Sequence, residues 1–129
     1  MGHGGVRRGG NEGTRRSFVA GDVIVQRGDA ADEMYVIRSG EVEILRGDGG
    51  GGVVARLGPG DFFGEMSLLE SLPRDADAVA RNDVELIVIT QGGLLVRLRR
   101  DPTFALEMLH RLSARVRALN AMLEQDARP

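Results

Sequence analysis

The chain has 129 residues, 42% hydrophobic and 28% charged, with a net charge of −2 and no cysteine. That is the length of one domain with a soluble, globular composition, and it excludes disulfides and thiol chemistry. No apolar run nears the ~20 residues of a membrane helix and no charged-then-apolar start marks a signal peptide, so the default expectation is a cytoplasmic protein. Charge is uneven: residues 1–17 carry four Arg and one Glu, residues 18–96 six Arg against fourteen acids, and residues 97–129 seven Arg against four acids. The acidic centre argues against a nucleic-acid-binding face there.

Met1 to Arg16 holds six glycines and almost nothing apolar, so it cannot offset its ordering entropy and reads as a flexible tail. Residues 17–129 read as the folded domain. Short strands are expected from Phe18 and across Val23-Ile24-Val25, Met34 to Arg38, Glu41 to Leu45, Val53 to Leu57, Ala76 to Ala80 and Val84 to Ile89. In the fourth, Val42 and Ile44 share one face, and Glu41, Glu43 and Leu45 share the other. The breaks are glycine turns, among them Gly-Asp at 21–22, 28–29 and 60–61, where the carboxylate can accept from nearby backbone N–H groups. Gly47 to Gly52 reads as a hairpin loop. Strands at this spacing predict a compact all-β roll or barrel over 17–89.

The end of the chain is helical by pattern, over 90–124. Thr90 is the expected N-cap of a helix from Gln91 to Arg100, and Asp101-Pro102 supplies a cap followed by Pro at the first helical position. Beyond it Ala105, Leu109, Leu112, Val116, Leu119 and Leu123 are spaced 4, 3, 4, 3, 4, a short coiled-coil seam. That seam serves either a second copy of the chain or packing on the chain's own roll, and the spacing leaves both open.

The most informative stretch is Gly60 to Ala80, GDFFGEMSLLESLPRDADAVA. Phe62 and Phe63 read as core, and so do Leu68, Leu69 and Leu72. Pro73 stops the short helix that begins near Gly64. A glycine lets a ligand approach the backbone, and the first-turn N–H groups favour an anion. Arg74, brought back to that turn, offers a permanently charged bidentate partner for phosphate. The stretch therefore predicts a pocket for a phosphorylated ligand.

Phe63-Gly64-Glu65-Met66-Ser67-Leu68, followed after four residues by Pro73-Arg74-Asp75-Ala76, resembles the phosphate-binding cassette of cyclic-nucleotide-binding domains. Those domains regulate the cAMP-dependent protein kinase, cyclic-nucleotide-gated channels and catabolite-activator-type transcription factors. The resemblance covers residues 18–124 and implies a β-roll, or jelly roll, carrying a short cassette helix and followed by a long C-terminal helix. It implies cAMP or cGMP as ligand, with no cofactor and no metal. Gly64 would allow close approach, and the amides of Met66 and Ser67 would face the cyclic phosphate. Glu65 would accept from the ribose 2′-hydroxyl, Arg74 would pair with phosphate, and Ile44 and Ala55 would lie against the base. The covering C-terminal helix would transmit binding, and in the transcription factors its equivalent forms the dimer axis. Their helix-turn-helix is not expected within this chain, nor is the helix that usually precedes the first strand.

The cassette departs from the family at two positions. Where Ser or Thr usually follow the Pro-Arg, this chain has Asp75 and Asp77. A carboxylate can only accept and carries like charge, and two unit charges at ~4 Å in an effective dielectric of ~20 repel by about 4 kcal/mol. Strict alternation puts both carboxylates on the face opposite Arg74 and spares the site. If alternation fails, one of them pairs with Arg74 and leaves a degenerate, ligand-free scaffold that dimerises through its last helix. An enzyme is not expected: His3 and His110 are far apart in sequence, and no Cys or Ser nucleophile pairs with a base.

Overall fold

The computed structural model describes residues 15–30, 32–46, 52–70 and 73–127, with backbone alone at 66, 67, 126 and 127. Residues 1–14 of the expected tail, residues 47–51 of the expected glycine loop and the core role of Leu72 lie outside the described residues. Eight strands and three helices follow in order: β1 Arg15–Phe18, β2 Val23–Val25, β3 Glu33–Ser39, β4 Val42–Leu45, β5 Val53–Leu57, β6 Phe62–Phe63, α1 Glu65–Glu70, β7 Asp77–Ala80, β8 Val84–Thr90, α2 Gln91–Arg100 and α3 Pro102–Ala127. The strands form two four-stranded antiparallel sheets, ordered β1-β8-β3-β6 and β2-β7-β4-β5. This is the antiparallel β-roll with a short internal helix and a long C-terminal helix that the sequence predicts. The described residues up to Gly92 and those from Gly93 onward form two compact units.

Alternation explains the roll's interior. Val42 and Ile44 of β4 and Ala78 and Ala80 of β7 lie in register and turn inward, to meet Phe18, Tyr35, Ile37, Phe63, Val84, Leu86 and Val88 of the first sheet. Each Gly-Asp turn uses its carboxylate as its sequence predicts. The Val19 amide donates to Asp22 Oδ2 at 2.9 Å, that of Gln26 to Asp29 Oδ2 at 3.4 Å and that of Gly58 to Asp61 Oδ2 at 2.9 Å.

Two expectations change, and β6 is an element not anticipated although its Phe62 and Phe63 are core as expected. Arg15 and Arg16, counted with the tail, are strand residues, because β1 pairs along β8; Arg15 meets Glu85 of that neighbour, and Arg16 reaches Glu33 of β3, one strand further on. Phe62-Phe63 forms a two-residue strand against Tyr35 and Val36, too short to show a period in sequence. Leu69 is 56% exposed, whereas Leu68 is buried. A six-residue helix packed on β3 has one inward face, and Leu69 lies about 100° round from Leu68.

In the helical unit, the Phe104 amide donates to Asp101 Oδ1 at 3.1 Å, the N-cap expected there, and Arg97 lies over the Phe104 ring. Leu94 and Met108 are buried; Leu109, Val116, Leu119 and Leu123 of the seam are exposed. No helix among the described residues is long and apolar enough to cross a membrane.

Candidate functional site

Arg74 is the centre of the candidate site. It is only 5% exposed, the one buried charged residue among those described. Reciprocal backbone bonds hold its main chain to the second Gly-Asp turn: its N–H donates to Asp29 O at 2.9 Å, and its carbonyl accepts from Gly28 N at 2.7 Å. Arg74, Ala78 and Ala80 are buried and Asp75 is exposed, with Ala76 and Asp77 half-buried; within β7 itself burial alternates from Asp77 to Ala80. The guanidinium thus points inward.

Inside, the side chain meets groups that accept without carrying charge. Nη1 donates to Gly64 O at 3.2 Å, and Nη2 donates to Glu33 O at 3.0 Å and to the Tyr35 hydroxyl at 3.3 Å. The Tyr35 ring carries the guanidinium 5.4 Å from its centroid and stacks at a tilt on Phe63. Nε is buried with no partner, and none of the side chain's acceptors among the described residues is a carboxylate. A buried cation with an unused donor is costly unless an anion completes its bonding.

Gly64 makes this approach possible. Its φ is +85°, and a Cβ there would stand 2.7 Å from Arg74 Nη1. α1 starts directly after it, with Glu65 half-buried at its head, Met66 and Ser67 in its first turn, and the Leu68 amide donating back to Gly64 O at 3.4 Å. Gly64, Glu65, Met66, Ser67 and Arg74 are therefore gathered at one place. Ile44 and Ala55 are cross-strand partners, both half-buried, and Ile44 also registers with Ala78 of β7.

The two unusual aspartates are placed away from the guanidinium's bonds. Asp77 Oδ1 accepts from the Arg27 amide at 2.6 Å, and so anchors the turn before Arg74's backbone partners. Asp75 is exposed. Among the described residues neither aspartate accepts from the Arg74 side chain.

Three residues were missed in the sequence. Tyr35 donates its hydroxyl to Glu33 Oε2 at 2.8 Å, and Glu33 is held in turn by Arg16 Nη1 at 2.7 Å. Burial, then the Glu33 carboxylate by charge and by hydrogen bond, push the Tyr35 phenol up to about 12, against the opposing pull of Arg74 and Arg16. The i, i+2 spacing of Glu33 and Tyr35 on one strand face was the available signal. Arg16, counted with the tail, gave none. Among the described residues no group of His, Cys, Asp and Glu gathers that could hold a metal ion.

Known proteins share this architecture. A cyclic AMP receptor protein of Thermus thermophilus is 40% identical over 114 residues, covering 87% of this chain and 52% of its own length. A cAMP-dependent protein kinase regulatory subunit of Yarrowia lipolytica is 38% identical over 73 residues, 57% of this chain and 19% of its own. The crystal structure of Thermus thermophilus catabolite activator protein superposes with a TM-score of 0.73 at 37% identity, over 86% of this chain and 53% of that one. The chain thus spans about half the length, or less, of these relatives. The family profile described as cyclic nucleotide-binding domain matches residues 15–101, which take in both sheets, α1 and Arg74. This chain belongs to the cyclic nucleotide-binding domain family.

Proposed function

We propose that the chain is a regulatory module that senses a cyclic nucleotide, cAMP or cGMP, at the Arg74–Gly64 site. The observation that carries this reading is the inward-facing guanidinium, bonded to two carbonyls and a hydroxyl, with a buried Nε left for an anion. Arg74 pairs with the cyclic phosphate beside the amides of Met66 and Ser67, Gly64 gives it room, and Glu65 accepts from the ribose 2′-hydroxyl. Ile44 and Ala55 receive the base, and Asp75 faces the rim next to the phosphate. Similarity to proteins named for cyclic AMP supports the ligand class. Binding shifts the equilibrium of the helices that follow the roll, and so that of a partner.

Calorimetric titration with cAMP and with cGMP tests the reading. Heat that saturates in the wild type and vanishes in Arg74→Ala supports it; no heat at high-micromolar nucleotide, or unchanged binding in Arg74→Ala, overturns it. A second reading, a ligand-free scaffold that pairs through α3, is favoured by the exposed seam of Leu109, Val116, Leu119 and Leu123. There a homodimer of this chain closes the seam from Ala105 through Leu112 to Leu123. A sedimentation profile that is monomeric at all concentrations removes it. Asp75→Ser separates the two further, since a blocked site gains nucleotide binding when that carboxylate is removed.

A further inference from the structure

Arginine has five N–H donors, and three of Arg74's are engaged, one from Nη1 and two from Nη2. The side-on fork that grips a phosphate consists of Nε–H and the Nη2–H parallel to it. One arm of that fork, Nε, is buried and free, while Nη2 is held by Glu33 O at 3.0 Å and by the Tyr35 hydroxyl at 3.3 Å. An anion cannot close the fork unless Nη2 gives up one of these acceptors. The hydroxyl bond is the longer of the two, and it is the one whose acceptor has a second occupation, as donor to Glu33 Oε2 at 2.8 Å.

We infer that Tyr35 is a placeholder for the phosphate: its hydroxyl occupies the second arm of the Arg74 fork in the empty site and yields that arm to a ligand oxygen on binding. Tyr35 is then a positioning residue that acts through Arg74. Its ring supports the guanidinium in both states, and only its hydroxyl exchanges. The Glu33 carboxylate keeps the hydroxyl's proton, so that its lone pairs are what Arg74 meets, and Arg16 fixes Glu33 at 2.7 Å. With its phenol pushed up to about 12, Tyr35 stays protonated, and therefore a donor to Glu33, throughout the neutral range.

The inference rests on the cyclic-nucleotide reading for the identity of the ligand, but it makes a separate prediction. Tyr35→Phe keeps the ring and removes the placeholder. A bond made only before a ligand binds opposes binding, so its loss tightens the Kd for cAMP or cGMP by roughly 10-fold, the lower end for a hydrogen bond from a charged donor. The same substitution leaves an Nη2–H short of an acceptor in the free protein and lowers its urea midpoint. Opposite signs for affinity and stability are the signature, because a merely structural role weakens both.

The chain has one tyrosine and no tryptophan, so its near-ultraviolet emission reports Tyr35 alone. Ribose 3′,5′-cyclic phosphate, which lacks the base and is transparent in that band, is the probe. Its titration changes the wild-type tyrosine emission if the hydroxyl releases Nη2. Binding by the wild type with equal or weaker affinity in Tyr35→Phe, or saturation without an emission change, overturns this inference and leaves the ligand reading standing. No binding of any of the three cyclic phosphates by either protein overturns both.

Discussion

Replacing Gly64 by alanine tests whether Arg74 is held where the site needs it. Two costs add. A φ of +85° is the left-handed region, where a Cβ costs about 1–2 kcal/mol. The new Cβ would also stand 2.7 Å from Arg74 Nη1, so the guanidinium must move and its 3.2 Å bond to Gly64 O is lost. A hydrogen bond from a charged donor is worth ~1.5–3 kcal/mol, and one of this length belongs at the lower end. The total is about 3 kcal/mol. Gly28→Ala is the internal control, since Gly28 has φ +90° with nothing within 4 Å of the added Cβ, and should cost only the conformational ~1.5 kcal/mol. Urea unfolding of the wild type and both variants, read as midpoint shifts at constant m, gives the comparison. Repeating Gly64→Ala in an Arg74→Ala background completes the cycle, and there its cost should fall to that of Gly28→Ala. Equal costs for the two glycine variants, or a Gly64→Ala cost unchanged without Arg74, would refute the wedge.

Three further outcomes are expected. The Tyr35 phenol rises from 10 unfolded to about 12 folded, so the folded state holds its proton more tightly. Stability is whole below pH 10 and falls as pH climbs toward 12, by up to about 3 kcal/mol, and urea midpoints measured from pH 9 to 11 should show a slope that Tyr35→Phe removes. Leu86→Ala, at a fully buried position of β8, should cost ~2–5 kcal/mol, whereas Leu69→Ala, at an exposed position of α1, should stay within about 0.5 kcal/mol, both read from thermal or urea unfolding. Asp77→Ala removes the acceptor of the Arg27 amide and should cost about 1 kcal/mol, while Asp75→Ala, at an exposed position, should be nearly neutral in the same assay.

Much of the architecture was legible because it is written in short-range chemistry. Gly-Asp turns, alternation in β4 and the Asp101-Pro102 start of α3 each depend on residues two to four positions apart, and each formed as its sequence predicts. The question posed by Asp75 and Asp77 is answered by their surroundings: Asp75 is exposed and Asp77 accepts from the Arg27 amide, while Arg74 is buried on uncharged acceptors. What stayed hidden depends on partners far along the chain. Tyr35 read only as a strand residue, because its importance comes from Arg74, 39 positions later. Arg16 read as tail because its glycine-rich approach masks a strand that exists only by pairing with β8. Leu69 misled for the opposite reason: it stands beside Leu68 in a helix too short to show a period, and only the packing of α1 decides which of the two faces inward.

The pairing of β1 with β8 has a consequence for how the domain is made. Arg15 registers with Ile87 and Phe18 with Val84, so the first described strand is completed by the last. Such long-range closure belongs to the slow-folding end of small domains, in milliseconds to seconds. During synthesis at about 5–20 residues per second, several seconds separate the emergence of the two strands. Through that interval β1 has no neighbour and β3 lacks its main partner, so the Arg16–Glu33 clasp on Tyr35 is not yet seated by its sheet. Assembly of the proposed site therefore waits on β8, and any nascent chain stalled before residue 84 presents unpaired strand edges to whatever is nearby.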